Sequence, residues 1–174
     1  MKPIANILFN AGYVVHVVEG IGYNRGTVEE AAQKVRHYIA ENHLTNCIIV
    51  AHSKGGLIGK YLLLHHNKRN VFNGMVAINT PFSGSKYAYL LPLPSLRIFT
   101  PNSSLLQQLA VNEVINNRIV SIFGLFDPHI PKGSFLKGAT NVRLHTYGHF
   151  RTINDKRVHK AILDGLKELS KSKI

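Results

Sequence analysis

One stretch of this chain leaves little freedom in how it folds. An apolar run, Cys47-Ile48-Ile49-Val50, leads into Ala51-His52-Ser53-Lys54-Gly55-Gly56, and an apolar helical pattern opens at once from Leu57. A strand can turn into a helix with no loop between them only where the two cross closely. The residues two positions either side of the turn must then be small, and Ala51 and Gly55 meet that need. Such a turn holds its serine at strained dihedrals, with the Ser53 hydroxyl standing above the sheet edge and the backbone N–H of Lys54 pointing into the same space. A bare small-x-Ser-x-Gly match is weak; the strand before it and the helix after it give it weight.

The rest of the chain reads as alternating strands and helices. Pro3 to Asn10 reads as a helix ended by Ala11-Gly12, and the β-branched run Tyr13 to Glu19 as a buried strand. After a loop from Gly20 to Gly26, Thr27 caps a helix to about Asn42, with Glu30 as its capping-box partner. Cys47 to His52 is the next strand, followed by a helix from about Leu57 to His66 and a strand from Met75 to Asn79. An irregular stretch from Phe82 precedes a helix from Ser104 to about Val111. Strands at Arg118–Phe123 and Val142–His145 and a closing helix over Asp155–Lys171 complete the chain. This alternation predicts an α/β fold, a mostly parallel sheet flanked by helices, in a single domain over residues 1–174.

Composition narrows the class. The 174 residues are 45% apolar and 17% charged, which is enough for one core and unlike a disordered chain. The single cysteine, Cys47, precludes an internal disulfide; a reducing compartment fits, as does a disulfide-free secreted protein. No signal peptide opens the sequence as it stands, which reads as cytoplasmic, with secretion left open if an N-terminal signal is missing. The net charge of +12 would suit anionic lipid or nucleic acid, but the basic residues are scattered apart from a mild concentration over Lys167–Lys173, so nucleic acid is not expected.

A serine nucleophile needs a base, and the base needs a carboxylate to orient it; in the α/β-hydrolases, whose nucleophile elbow this turn resembles, these follow in the chain order serine, acid, histidine. Only Glu113 and Asp127 lie between Ser53 and His149. Glu113 sits in a polar stretch, whereas Asp127 follows an apolar strand, at the end of the sheet where sites gather. Among ten histidines, His149 stands in a loop, Tyr147-Gly148-His149-Phe150, after a strand and before the last helix. His145 lies within a strand, His159 in the closing helix and His52 beneath the turn. His65 and His66 form no ligand set with a carboxylate or cysteine at useful spacing, so neither a metal nor a cofactor is expected.

Taken together these residues resemble the small bacterial triacylglycerol lipases of the α/β-hydrolase superfamily, from about Tyr13 to Leu166. The likeness runs through Gly22-Tyr23-Asn24-Arg25-Gly26, Ile49 to Gly56, Asn79-Thr80-Pro81-Phe82-Ser83-Gly84-Ser85, Asp127-Pro128-His129-Ile130-Pro131, Ser134 to Ala139, Asn141-Val142 and Gly148-His149. It implies hydrolysis of lipid or short acyl esters through an acyl-enzyme, with Ser53 attacking, His149 carrying the proton, Asp127 orienting the imidazole and Lys54 N–H as one oxyanion donor.

Three departures stand out. Lys54 places a cation beside the serine, which would favour anionic substrates. Phe82 occupies a position where relatives often carry histidine. The family opens with a strand ending in His-Gly whose loop supplies the second oxyanion donor, whereas this sequence starts at the helix after it; the expectation is an N-terminally shortened version of the fold. Two other readings follow: a catalytically impaired hydrolase-fold binding protein, and, from the +12 charge alone, a basic nucleic-acid or membrane-surface binder. The apolar segment Tyr87–Phe99 is where an acyl pocket or lid would form.

Overall fold

The structure, a computed structural model, describes residues 1–21, 26–68, 70–90 and 94–171. Gly22–Arg25 of the glycine loop, Leu91-Pro92-Leu93 and the last residues of the basic tail lie outside the described residues.

Four strands form one parallel sheet in sequential order: β1 (Cys47–His52), β2 (Phe72–Ile78), β3 (Ile119–Phe126) and β4 (Thr140–Tyr147). Five α-helices flank it: α1 (Lys2–Asn10), α2 (Val28–Glu41), α3 (Lys54–His65), α4 (Ser104–Val111) and α5 (Lys156–Lys171). Side chains alternate across each strand, so β2 feeds two cores at once. Met75 and Ala77 join Leu57, Leu62 and the faces of α2 and α4 on one side. Val76 and Ile78 join Ile4, Leu8, Ile162 and Leu166 of α1 and α5 on the other.

Local chemistry sets several boundaries. Thr27 caps α2 with the full reciprocal box: its hydroxyl accepts the Glu30 N–H at 3.1 Å, and the Glu30 carboxylate accepts the Thr27 N–H at 2.9 Å. Asn67 closes the α3–β2 connection by donating to and accepting from the Phe72 backbone, both at 2.8 Å.

The strand expected at Tyr13–Glu19 is not in the sheet. The segment runs without a ladder partner, with Val14 88% and Val17 58% exposed, while Tyr13 and Val15 pack partly against the α1–α5 core. β-branched composition favours extended backbone, but a strand also needs a neighbour's N–H and C=O groups, and β1 lies across an open cleft of about 1390 Å³. β1 is accordingly an edge strand. The N–H groups of Cys47 and Ser53 bond to Val71 and Ile78 on the β2 side. Backbone alternation turns those of Ile48, Val50 and His52 toward the cleft.

The close crossing anticipated at the elbow is present. A methyl at Gly55 would meet the Ala51 Cβ at 3.3 Å, and one at Gly56 would overlap the Thr80 side chain. Gly56→Ala should therefore lower stability by about 1–3 kcal/mol, and Thr27→Ala by about 1 kcal/mol, in urea unfolding; an unchanged midpoint in either variant would contradict the packing or the cap described here.

Candidate active site

The site lies at the C-terminal ends of β1, β2, β3 and β4. Ser53 follows β1 and occupies the N-cap position of α3 at φ 55°, ψ −123°, a left-handed backbone that costs a non-glycine residue about 1–3 kcal/mol. Its own N–H bonds to the Ile78 carbonyl at 2.9 Å and its carbonyl accepts the Gly56 N–H at 3.0 Å, so the surrounding backbone holds the strained turn in place. Lys54 is the first helical residue, and its N–H has no acceptor within α3.

Asp127 and His149 come from loops after β3 and β4, and both are buried. The three side chains meet in a line. His149 Nδ1 lies 2.6 Å from Asp127 Oδ2 and His149 Nε2 lies 2.9 Å from Ser53 Oγ. A carboxylate only accepts, so Nδ1 carries the hydrogen and Nε2 accepts from the serine hydroxyl. The other oxygen of Asp127 accepts the His129 N–H at 2.8 Å. Glu113, the rival carboxylate, is elsewhere, in an exposed ion pair with Lys137 at 3.0 Å.

The Lys54 side chain does not turn toward the serine. Its ammonium donates to the Gly26 carbonyl at 2.9 Å and burial lowers its pKa, so it ties the elbow to the start of α2 instead of presenting a cation to an incoming ligand.

Other groups build the surroundings and were not assigned from sequence. Asn79, buried at the end of β2 with φ 45°, donates from Nδ2 to the His149 carbonyl at 3.0 Å and to Thr152 Oγ1 at 2.9 Å. It clamps the loop that carries the histidine. His52 and His129 flank the His149 ring, each with centroids 4.7 Å away. The donor atoms of Asp127, His129 and His149 lie within 4.8 Å of one another, close enough to hold a cation. A cation there would have to displace the 2.6 Å His149–Asp127 bond. The only sequence clue to Asn79 is its place at a strand end, where asparagine tolerates left-handed backbone.

Burial pushes the Asp127 carboxyl up, but the hydrogen bonds from His149 and from the His129 N–H outweigh it and hold the group below its ordinary value. His52 is pushed down to about 4, chiefly by burial, although its Nε2 donates to the His149 carbonyl at 3.0 Å. A histidine depressed in the folded state binds its proton more readily when unfolded, so its contribution is present above pH 6.5 and is lost as pH falls from 6.5 toward 4. Denaturant unfolding should lose about 3 kcal/mol from this group between about pH 7 and pH 4. His52→Gln, which retains a donor but does not titrate, should flatten that slope; an equally steep slope in the variant would remove His52 as its source.

No family model and no curated protein matches the sequence. Solved structures do match the fold. A mature Bacillus licheniformis lipase, BlEst2, superposes with a TM-score of 0.65 at 16% identity, covering 92% of this chain and 82% of the lipase. A structure from work on carboxylesterases of the thaumarchaeon Nitrososphaera gargenis gives 0.61 at 13% identity over 86% of this chain and 75% of that one. An extracellular α/β-hydrolase from a Paenibacillus species gives 0.59 at 16% identity over 94% and 92%. With four parallel strands, helices on both faces and a serine on the strand–helix turn, the chain has the α/β-hydrolase fold.

Proposed function

We propose that this protein is a serine carboxylic ester hydrolase working through an acyl-enzyme. The observation that carries the reading is the unbroken hydrogen-bonded line Asp127–His149–Ser53, with its two bonds of 2.6 and 2.9 Å. In this mechanism Ser53 Oγ attacks the ester carbonyl carbon while its proton passes to His149 Nε2. Asp127 keeps Nδ1–H oriented and stabilises the imidazolium. The Lys54 N–H, at the positive end of α3, donates to the developing oxyanion. His149 then gives its proton to the departing alkoxide. Water, deprotonated by the same nitrogen, releases the acid and restores the serine.

An apolar acyl group suits the cleft beside Ser53, whose walls there include Tyr87, Ala88, Phe99, Ile130 and Phe150. Tyr87 to Phe99 includes two short 3-10 turns, Lys86–Leu90 and Pro94–Phe99, so part of the stretch expected to form an acyl pocket does line this cleft. The +12 charge is compatible with lipid substrate at an anionic surface.

A second reading, a hydrolase-fold protein with impaired turnover, is favoured by the position of β1. Among the described residues no strand lies beyond it to bring a second N–H toward the oxyanion, and losing one such donor costs about 100- to 1,000-fold in rate.

Fluorophosphonate labelling and p-nitrophenyl ester turnover separate the two. Full activity is expected to bring labelling of the wild type, no labelling of Ser53→Ala or His149→Ala, and turnover falling at least about a thousandfold in both variants. Labelling with negligible turnover would favour the impaired protein. A folded protein that does neither would overturn the enzyme and leave the impaired hydrolase-fold protein. Asn79→Ala should lower kcat about 10- to 100-fold with little change in KM, because it loosens the His149 loop and leaves the cleft intact; an unaltered kcat would deny it a positioning role.

A further inference from the structure

A second cavity, of about 230 Å³, lies between α3, α4 and the loop before β4, and shares no lining residue with the cleft at Ser53. Two of its walls are polar groups that the proposed chemistry does not use. Lys60, in the middle of α3, is only 2% exposed, yet its ammonium makes no hydrogen bond or ion pair among the described residues. Its Nζ lies 6.0 Å from the centroid of the Phe82 ring. Asn116, also 2% exposed, donates from Nδ2 to the Lys137 carbonyl at 2.8 Å, which fixes its amide and leaves Oδ1 buried without a donor.

Burying a cation and an amide oxygen without partners is costly, and each is left ready for the complementary group. The charges around the cavity set the ligand's charge. Glu113 pairs with Lys137 at 3.0 Å and also attracts Lys60, so two cations face one carboxylate and the lining keeps a net charge of +1. Asn116 Oδ1 calls for a hydroxyl or N–H donor on the same molecule. Leu57, Leu109 and Leu136 supply apolar wall. The volume equals about eight waters at roughly 30 Å³ each, so the molecule is small. Burial lowers the Lys60 pKa to about 8, and an anion seated against it would raise it again.

We infer that this cavity is a binding site for a small monocarboxylate carrying its own hydroxyl, a short 2-hydroxycarboxylate, with Lys60 holding the carboxylate and Asn116 Oδ1 accepting the hydroxyl. The inference is independent of the reaction proposed at Ser53.

Lactate, acetate and chloride titrated at matched ionic strength, with melting temperature as the readout, test it. At about ten times the dissociation constant fitted from the lactate series, Tm of the wild type should rise by about 3 °C. Acetate should bind more weakly because it lacks the donor for Asn116. Chloride should give no saturable rise, and Lys60→Met should abolish the lactate response. No lactate response, equal responses to lactate and acetate, or an unchanged response in Lys60→Met would each overturn the proposal. The comparison of lactate with acetate uses only the wild type, so it decides the matter even if Lys60→Met does not fold.

Discussion

Everything at the site depends on how closely α3 lies against the sheet. The helix leaves β1 through a single strained residue and must then run back over β1 and β2 without a side chain in the way. Gly56 makes room for Thr80, and Gly59 for Met75 and Ile49. With those contacts made, Leu57, Ile58 and Leu62 reach the core, which holds the elbow rigidly enough to keep Ser53 at φ 55°. The strain at one residue is thus offset by ordinary packing along the following two turns of helix.

The histidine is held by different means. Its loop leaves Tyr147 and Phe150 mostly exposed, and polar contacts hold it in place. Asn79 reaches from the end of the most buried strand to the His149 carbonyl and to Thr152, and Thr152 Oγ1 donates to the same carbonyl at 3.0 Å. Asp127 gains its orientation from the His129 N–H at 2.8 Å. A side chain just past the end of β2 therefore sets the imidazole, and the loop after β3 sets the carboxylate. The two meet because these strands end at the same side of a parallel sheet.

How far all this was legible in the sequence depended on how local its cause is. The α2 cap, the elbow and the closing helix rest on neighbours within a few residues, and Thr27, Glu30, Ala51 and Gly55 announce them. Asp127 and His149 could be singled out because so few carboxylates lie between the elbow and the last helix, and the structure brings both to Ser53. Tyr13–Glu19 failed because its Val-Val-His-Val-Val pattern records only a preference for extended backbone, whereas a ladder partner is a property of the whole fold. Asn79 went unassigned for the same reason: its partners are 69 to 73 residues away. The Lys54 side chain, expected beside the serine, was drawn off by the Gly26 carbonyl, a contact that only the packed elbow creates.

The open flank of β1 has a kinetic consequence. β2 and β3 each have a strand on both sides, whereas β1 has one, and the amides of Ile48, Val50 and His52 face a cleft wide enough to admit water. Protection against deuterium uptake should therefore alternate along β1, fast at the cleft-facing amides and slow at Cys47 and Ser53, whose N–H groups are bonded to the β2 side. The sheet is then least protected along the strand that carries the nucleophile candidate, and an occupant of the cleft would register first as slowed exchange at those three amides.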